Sequence, residues 1–187
     1  SLKNAAIAVS ASGGSTNAVM HLTAIAAEAG VDFGIEDCHQ ACIEVPVICD
    51  LNPGGQYLAS HLYVAGGTRL VAQKLAEAGV IVNTPTVSGM SLFAEAAKAE
   101  EQPGQQVVTT VAKPVMDRGS YAVIYGNVAP EGAVIKLTGH KVDRFEGPAK
   151  VYDCEEDAFA AVQSGDAGEG DVIIIRYEGP KGGPGMR

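Results

Sequence analysis

The hydrophobic positions of the first hundred residues recur mainly at helical spacing. Apolar residues three or four positions apart predict a helix over residues 18–29, with Ser15-Thr16-Asn17 as N-cap candidates and Gly30 as its stop. A short apolar run at 45–51, VPVICDL, predicts a buried strand that ends at Asp50, a polar residue without an evident partner. The helical spacing predicts four further helices, near residues 36–44, 56–64, 68–78 and 91–100.

The pattern changes after a connector near residue 105, where runs of β-branched and aromatic residues separated by turns predict strands. One helix interrupts them at 155–163, with Asp153 as its candidate N-cap. The chain therefore predicts an α/β fold in two units, a helix-rich unit over 1–105 and a β-rich unit over 106–187. The predicted strands cover residues 121–128, 133–137, 149–152 and 172–176.

Composition narrows the class of protein. The 187 residues are 47% hydrophobic, and 13 Lys and Arg stand against 22 Asp and Glu. This negative charge argues against a nucleic-acid or anionic-membrane partner, since both need clustered basic residues. No apolar run approaches the roughly 20 residues that span a bilayer, and four cysteines are too few for a secreted disulfide framework. We expect a cytoplasmic protein.

The first candidate for chemistry is the stretch SGGSTN, residues 12–17, at the start of the predicted helix. Glycines let a ligand approach the backbone, and free N–H groups at a helix N-terminus suit a phosphate or carboxylate. The stretch lacks the lysine of a Walker loop and the spacing of the dinucleotide fingerprint. On spacing alone, a helix with a good N-cap is the commoner explanation.

Cysteine and histidine spacing gives little further chemistry. Cys38 and Cys42 share a helix face with Cys49 nearby, so a metal pair is conceivable, but buried structural thiols are favoured. His21 lies in an apolar helix, which is typical of a core histidine. No Ser–His–Asp set can be assembled, so the residues alone do not indicate a reaction.

Read together and in order, the glycine-rich stretches resemble the dihydroxy-acid and sugar-acid dehydratase family. The resemblance extends along nearly the whole chain. It implies the helix-rich end of an N-terminal α/β domain up to 105, followed by the start of a β-barrel-like C-terminal domain. It rests on SGGSTNAVMHLTAIAAEAGVD (12–32), VPVICDLNPGGQYLASHLYVAGG (45–67), YGNVAPEGAVIK (125–136), FEGPAKVYDCEEDA (145–158) and GDVIIIRYEGPKGGPGMR (170–187).

The resemblance also implies a reaction. Members of this family remove water from a 2,3-dihydroxy acid to give an enol that becomes the 2-keto acid. An iron–sulfur cluster, usually 2Fe-2S, acts as Lewis acid on the departing hydroxyl, Mg²⁺ holds the carboxylate end of the substrate, and a serine takes the C2 proton. The family's cluster cysteines, most Mg²⁺ ligands and proton-abstracting serine match no residue of this sequence. The resemblance therefore implies no catalytic residue and no cofactor in this chain alone.

Two stretches can be matched to functional loops of the family. Gly13, Gly14, Ser15, Thr16 and Asn17 correspond to its GGSTN loop and are expected at or beside the substrate. The second stretch corresponds to a loop that presents an Mg²⁺-binding Glu. It consists of Lys181, Gly182, Gly183, Pro184, Gly185 and Met186.

Several alternatives remain open. The dihydroxy-acid branch, of branched-chain amino-acid synthesis, is the first choice, an aldonate branch follows, and the phosphogluconate branch is the weakest. A chain that kept the fold as a standalone, non-catalytic binding module is a further alternative. The resemblance implies a homo-oligomer, dimer or tetramer, in the cytoplasm or an organelle matrix. We also expect the chain to be an internal segment that alone exposes apolar surface.

Overall fold

The computed structural model describes residues 1–139 and 144–179. The chain divides into two compact units, Ser1–Lys141 and Val142–Arg187, which are described separately. In the described residues the fold is mixed α/β, with small sheets beside the helices. None of the described helices is long and apolar enough to cross a membrane.

Within residues 1–139, the first unit contains six helices and one antiparallel pair of strands. β1 (Tyr121–Ile124) pairs with β2 (Ala133–Lys136), with Tyr121 opposite Lys136. The helices are α1 (Leu2–Ala11), α2 (Asn17–Glu28), α3 (Ile35–Glu44), α4 (Ala59–Ala65), α5 (Gly67–Glu77) and α6 (Leu92–Ala96).

Helix α1 forms the centre of this unit, although the sequence pattern did not predict it. It packs against α2, α3 and α5 and buries Ala6, Ile7 and Ala11. Because α1 packs against other helices on several sides, its apolar residues do not form the single stripe that is typical of a surface helix. No side chain caps its N-terminus. The buried Asn4 amide forms two hydrogen bonds with the backbone of Val82, at 2.7 and 3.1 Å, and so fastens a distant loop to α1.

The run VPVICDL is buried as predicted but does not form a regular strand. Its alternate residues form isolated bridges with three different segments, so no continuous ladder develops. Val47 pairs with Met116, Cys49 with Val108 and Leu51 with Tyr57. The predicted helices at 56–64 and 91–100 are also shorter in the structure, as α4 and α6.

The second unit is a β-α-β arrangement. β3 (Ala149–Tyr152) and β4 (Val172–Ile175) are parallel, and α7 (Glu155–Ser164) connects them. Cys154 is the N-cap of α7, so the assignment of Asp153 was wrong, because the Asp153 carboxylate instead accepts a hydrogen bond from the Arg176 guanidinium at 2.7 Å. The strands of residues 1–139 and 144–179 form two separate two-stranded sheets and no closed barrel.

Candidate functional site

The stretch SGGSTN forms the tight turn between α1 and α2. The Ser12 amide donates to the Ala8 carbonyl at 3.0 Å, and the Gly13 amide donates to Ser10 at 3.3 Å. The Gly14 amide then donates to the Val9 carbonyl at 2.9 Å. These bonds satisfy the carboxyl end of α1 and direct the chain into α2.

Both glycines of this turn are required by its geometry. Gly13 is buried and has φ +70°, in the left-handed region that side chains disfavour. At Gly14, an added methyl carbon would lie 2.9 Å from both the Cγ1 atom and the carbonyl oxygen of Val9. The backbone of the loop therefore lies closer to α1 than any other residue type would allow.

The N-terminus of α2 presents backbone donors. The Ser15 hydroxyl accepts the Asn17 amide at 3.2 Å, and Thr16 makes no side-chain cap. Within the described residues, the amide groups of Ser15 and Thr16 have no hydrogen-bond partner. Two unpaired donors at the positive end of a 12-residue helix favour a carboxylate or phosphate.

A further segment, which sequence reasoning missed, lies beside this loop and against a second turn. A methyl carbon added at Gly13 would lie 3.8 Å from Cγ2 of Thr138, in the segment that follows β2. One added at Gly54 would lie 2.7 Å from Cβ of the same threonine. Thr138 thus lies between the Gly13 loop and the turn at 52–55, whose Asn52–Pro53 peptide is cis.

Asp50 fastens the Gly54 turn. Its carboxylate accepts the Gln56 amide at 3.1 Å and the Gln56 side-chain amide at 3.2 Å. A methyl carbon at Gly55 would collide with the Asp50 carboxylate, so the glycine leaves room for this contact. Asp50 therefore has a partner, contrary to the expectation from sequence. In the sequence, the glycine pair Gly54 and Gly55 was the feature that could have indicated this contact.

The thiols are packing groups in this structure. Cys38, Cys42 and Cys49 are buried and form no disulfide. Burial, followed by the neighbouring Cys42 and Asp37, raises the pKa of Cys38 to about 11, and burial raises the pKa of Cys49 to about 12. Burial also raises the pKa of Cys42, although Ser10 and Tyr121 donate hydrogen bonds that oppose the shift.

The other candidates from sequence have mixed outcomes. His21 is exposed on α2, so the prediction of a core histidine was wrong. Nowhere in the described part of the chain do three His, Cys, Asp or Glu side chains form a group that could hold a metal ion. The second loop, Lys181 to Met186, lies outside the described residues.

An apolar cavity of about 740 Å³ borders the first loop at Ser12. Its walls come from α1, α5, Leu51 and the segment after Ile81. Val87, on its wall, is fully exposed, as are several apolar side chains elsewhere. Whether these side chains form a surface that further parts of the protein cover stays a prediction.

Comparison with known proteins gives consistent matches along the chain. Residues 1–95 match the family described as dihydroxy-acid/6-phosphogluconate dehydratase N-terminal, and residues 106–187 match its C-terminal counterpart. Proteins named dihydroxy-acid dehydratase from Koribacter versatilis and Thermus thermophilus are 48% and 50% identical over the whole chain. One from Saccharolobus islandicus is 46% identical over 98% of it. The chain spans about a third of the length of these relatives, 33% or 34%.

Proposed function

We propose that the whole protein is a hydro-lyase acting on a 2,3-dihydroxy carboxylic acid, because this chain belongs to the dihydroxy-acid/6-phosphogluconate dehydratase family. The observation that carries the proposal is the identity of 45–50% to several proteins named dihydroxy-acid dehydratase, extending over nearly all of this chain. That name favours the dihydroxy-acid branch over the aldonate and phosphogluconate branches. It also favours an enzyme over a standalone binding module.

The reaction balances without an oxidant. The C2 proton and the C3 hydroxyl leave as one water molecule, which creates a C2=C3 enol. The enol takes a proton at C3 as its C2 hydroxyl becomes the ketone. The residues of this chain would contribute binding and orientation rather than proton transfer.

The Gly13–Asn17 loop would hold the substrate. Gly13 and Gly14 shape the tight turn of this loop against α1, and the Ser15 and Thr16 amides would donate to a substrate oxygen at the positive end of α2. The hydroxyls of Ser15 and Thr16 and the amide of Asn17 would contact polar groups of the same molecule. The unpaired amides support this assignment, and a carboxylate is the anionic group common to all substrates of this class.

The described residues do not fit an iron–sulfur cluster. Burial raises the pKa of the Cys38 and Cys49 thiols, and no group of three ligand side chains forms among residues 1–139 and 144–179. When bound, the cluster would supply a Lewis acid for the departing hydroxyl. We propose that the cluster and Mg²⁺ are held by parts of the whole protein that correspond to the additional length of the relatives.

The finer architecture is also a proposal. We assign residues 1–105 to the end of an N-terminal α/β domain and 106–187 to the start of a β-barrel-like domain, and the family matches ending at 95 and starting at 106 support this division. The family further implies a homo-oligomer, dimer or tetramer, in the cytoplasm or an organelle matrix.

Paired glycine variants of the whole protein test the loop. Gly13 and Gly30 both have positive φ, +70° and +65°, and lie before and after α2, but an added methyl at Gly30 meets nothing within 4 Å. We expect Gly13→Ala to lower kcat/KM on the dihydroxy acid by at least ~10-fold. We expect Gly30→Ala to retain it. Equal losses in both variants would remove the loop from the substrate site, and turnover of an aldonate alone would shift the assignment to the sugar-acid branch.

A further inference from the structure

We propose that Thr138 is a positioning residue for the Gly13–Asn17 loop, bracing that loop against the turn at Gly54. The proposal rests on the proposed function in so far as the loop binds substrate. Thr138 itself is placed outside the substrate contacts, and it acts through Gly13.

The bracing follows from the positions of two glycines next to one side chain. Thr138 is 8% exposed, and its backbone is fixed because its amide donates to the Ser120 carbonyl at 3.2 Å. A methyl carbon added at Gly13 would lie 3.8 Å from Thr138 Cγ2, and one added at Gly54 would lie 2.7 Å from Thr138 Cβ. The side chain therefore lies directly against the Gly54 turn and next to Gly13, where the loss of its Cγ2 methyl would widen the space beside the loop.

The turn that carries Gly54 is itself held in place by side-chain hydrogen bonds. The Asp50 carboxylate binds Gln56 at both its backbone and its side-chain amide, which fixes the turn that carries Gly54. The backbone at Gly139 also lies against the turn, where an added methyl would lie 3.4 Å from the Gly54 Cα. The Gly54 turn therefore resists a displacement of Thr138 towards it, and a displacement in the other direction would be transmitted to the Gly13 loop.

The shape of Thr138, and not its hydroxyl, carries this role. Thr138 Oγ1 is buried and has no hydrogen-bond partner among residues 1–139 and 144–179. A buried hydroxyl without a partner contributes nothing that valine, of nearly the same shape, would not supply. The proposal therefore separates two substitutions: Thr138→Val keeps the brace, and Thr138→Ala removes it.

The test uses the whole protein with its cofactors, and it compares Thr138→Ala, Thr138→Val and the unmodified protein. We expect Thr138→Ala to raise KM about tenfold, because a displacement near 1 Å in a binding loop can cost up to ~100-fold. Thr138→Val should keep the original KM. Amide hydrogen exchange of the peptide containing residues 12–17 should accelerate in the alanine variant and stay unchanged in the valine variant.

Ser120→Ala is the matched control. Ser120 carries the other buried hydroxyl without a partner among the described residues, and no added methyl at Gly13 or Gly54 approaches it. This variant should change neither KM nor the exchange of residues 12–17. An unchanged loop in Thr138→Ala, or a raised KM in Thr138→Val, would overturn the proposal. If the unmodified protein turned over no dihydroxy acid, the proposed function would fail, while the exchange measurement would still test the brace.

Discussion

The buried thiols give a prediction whose size follows directly from the structure. At pH 8 an ordinary thiol of pKa about 8.5 is ~24% thiolate, the reactive form. With pKa values of about 11 and 12, Cys38 and Cys49 would be only ~0.1% and ~0.01% thiolate. Their side chains are also 0% and 2% exposed, so a bulky reagent must wait for the structure to open. We expect labelling hundreds of times slower than that of a free thiol.

The assay treats the native chain with an aromatic disulfide reagent at pH 8 and locates labelled cysteines by peptide mass spectrometry. Cys154, the half-buried cysteine, should be labelled first, and the other three only after denaturant is added. A denatured sample, in which all four should react within the dead time, is the control. Fast native labelling of Cys38 or Cys49 would refute their assignment as packing groups and reopen the question of a thiolate ligand.

Three further predictions concern stability. Asn4→Ala should lower the unfolding free energy by ~1–3 kcal/mol in urea titrations, because it removes both hydrogen bonds between the buried Asn4 amide and the backbone of Val82; a loss under ~0.5 kcal/mol would contradict the fastening role. Tyr177→Asn should be neutral or raise the melting temperature, since Tyr177 has φ +65°, which costs ~1–2 kcal/mol, and its exposed contact with Arg176 contributes only ~0.5–1 kcal/mol; a clear loss would refute the strain. Stability should fall as pH rises above 9.0, because the pKa of Cys38 and Cys49 is 9.0 in the unfolded chain but about 11 and 12 in the folded one. A flat profile of the unfolding free energy in urea titrations from pH 8 to 11 would contradict their burial.

The elements that the sequence predicted well are those with a single strong local pattern. Helix α2 begins within one residue of the prediction because Ser15 to Asn17 and the spacing of its apolar residues agree, and β3 matches residue for residue. Helix α1 was missed because it is buried on several sides, so it lacks the stripe that marks an amphipathic helix. VPVICDL was buried as expected, but its pairing partners lie far away in the chain, and no local pattern determines them.

In the candidate site, too, the sequence predicted the local features and not the contacts between distant segments. The glycines of the Gly13 loop and the helix after it were visible in the sequence, since both are local features. The approach of Thr138 to that loop and to Gly54 depends on how distant segments pack, and a lone threonine after a strand carries no signal of it. Asp50 could have been paired with Gln56 by its position around the turn, although the geometry of that turn was needed to decide it.

The central claim is that the whole protein dehydrates a 2,3-dihydroxy acid, and its turnover in deuterated water tests this most directly. The purified protein, with cluster and Mg²⁺ restored, would be given a branched-chain 2,3-dihydroxy acid and an aldonate in parallel. The account predicts a 2-keto acid from the branched-chain substrate at the higher kcat/KM, with one solvent deuteron at C3, because the enol is protonated there. Absence of any 2-keto acid from either substrate, in a preparation with full cluster content, would contradict it.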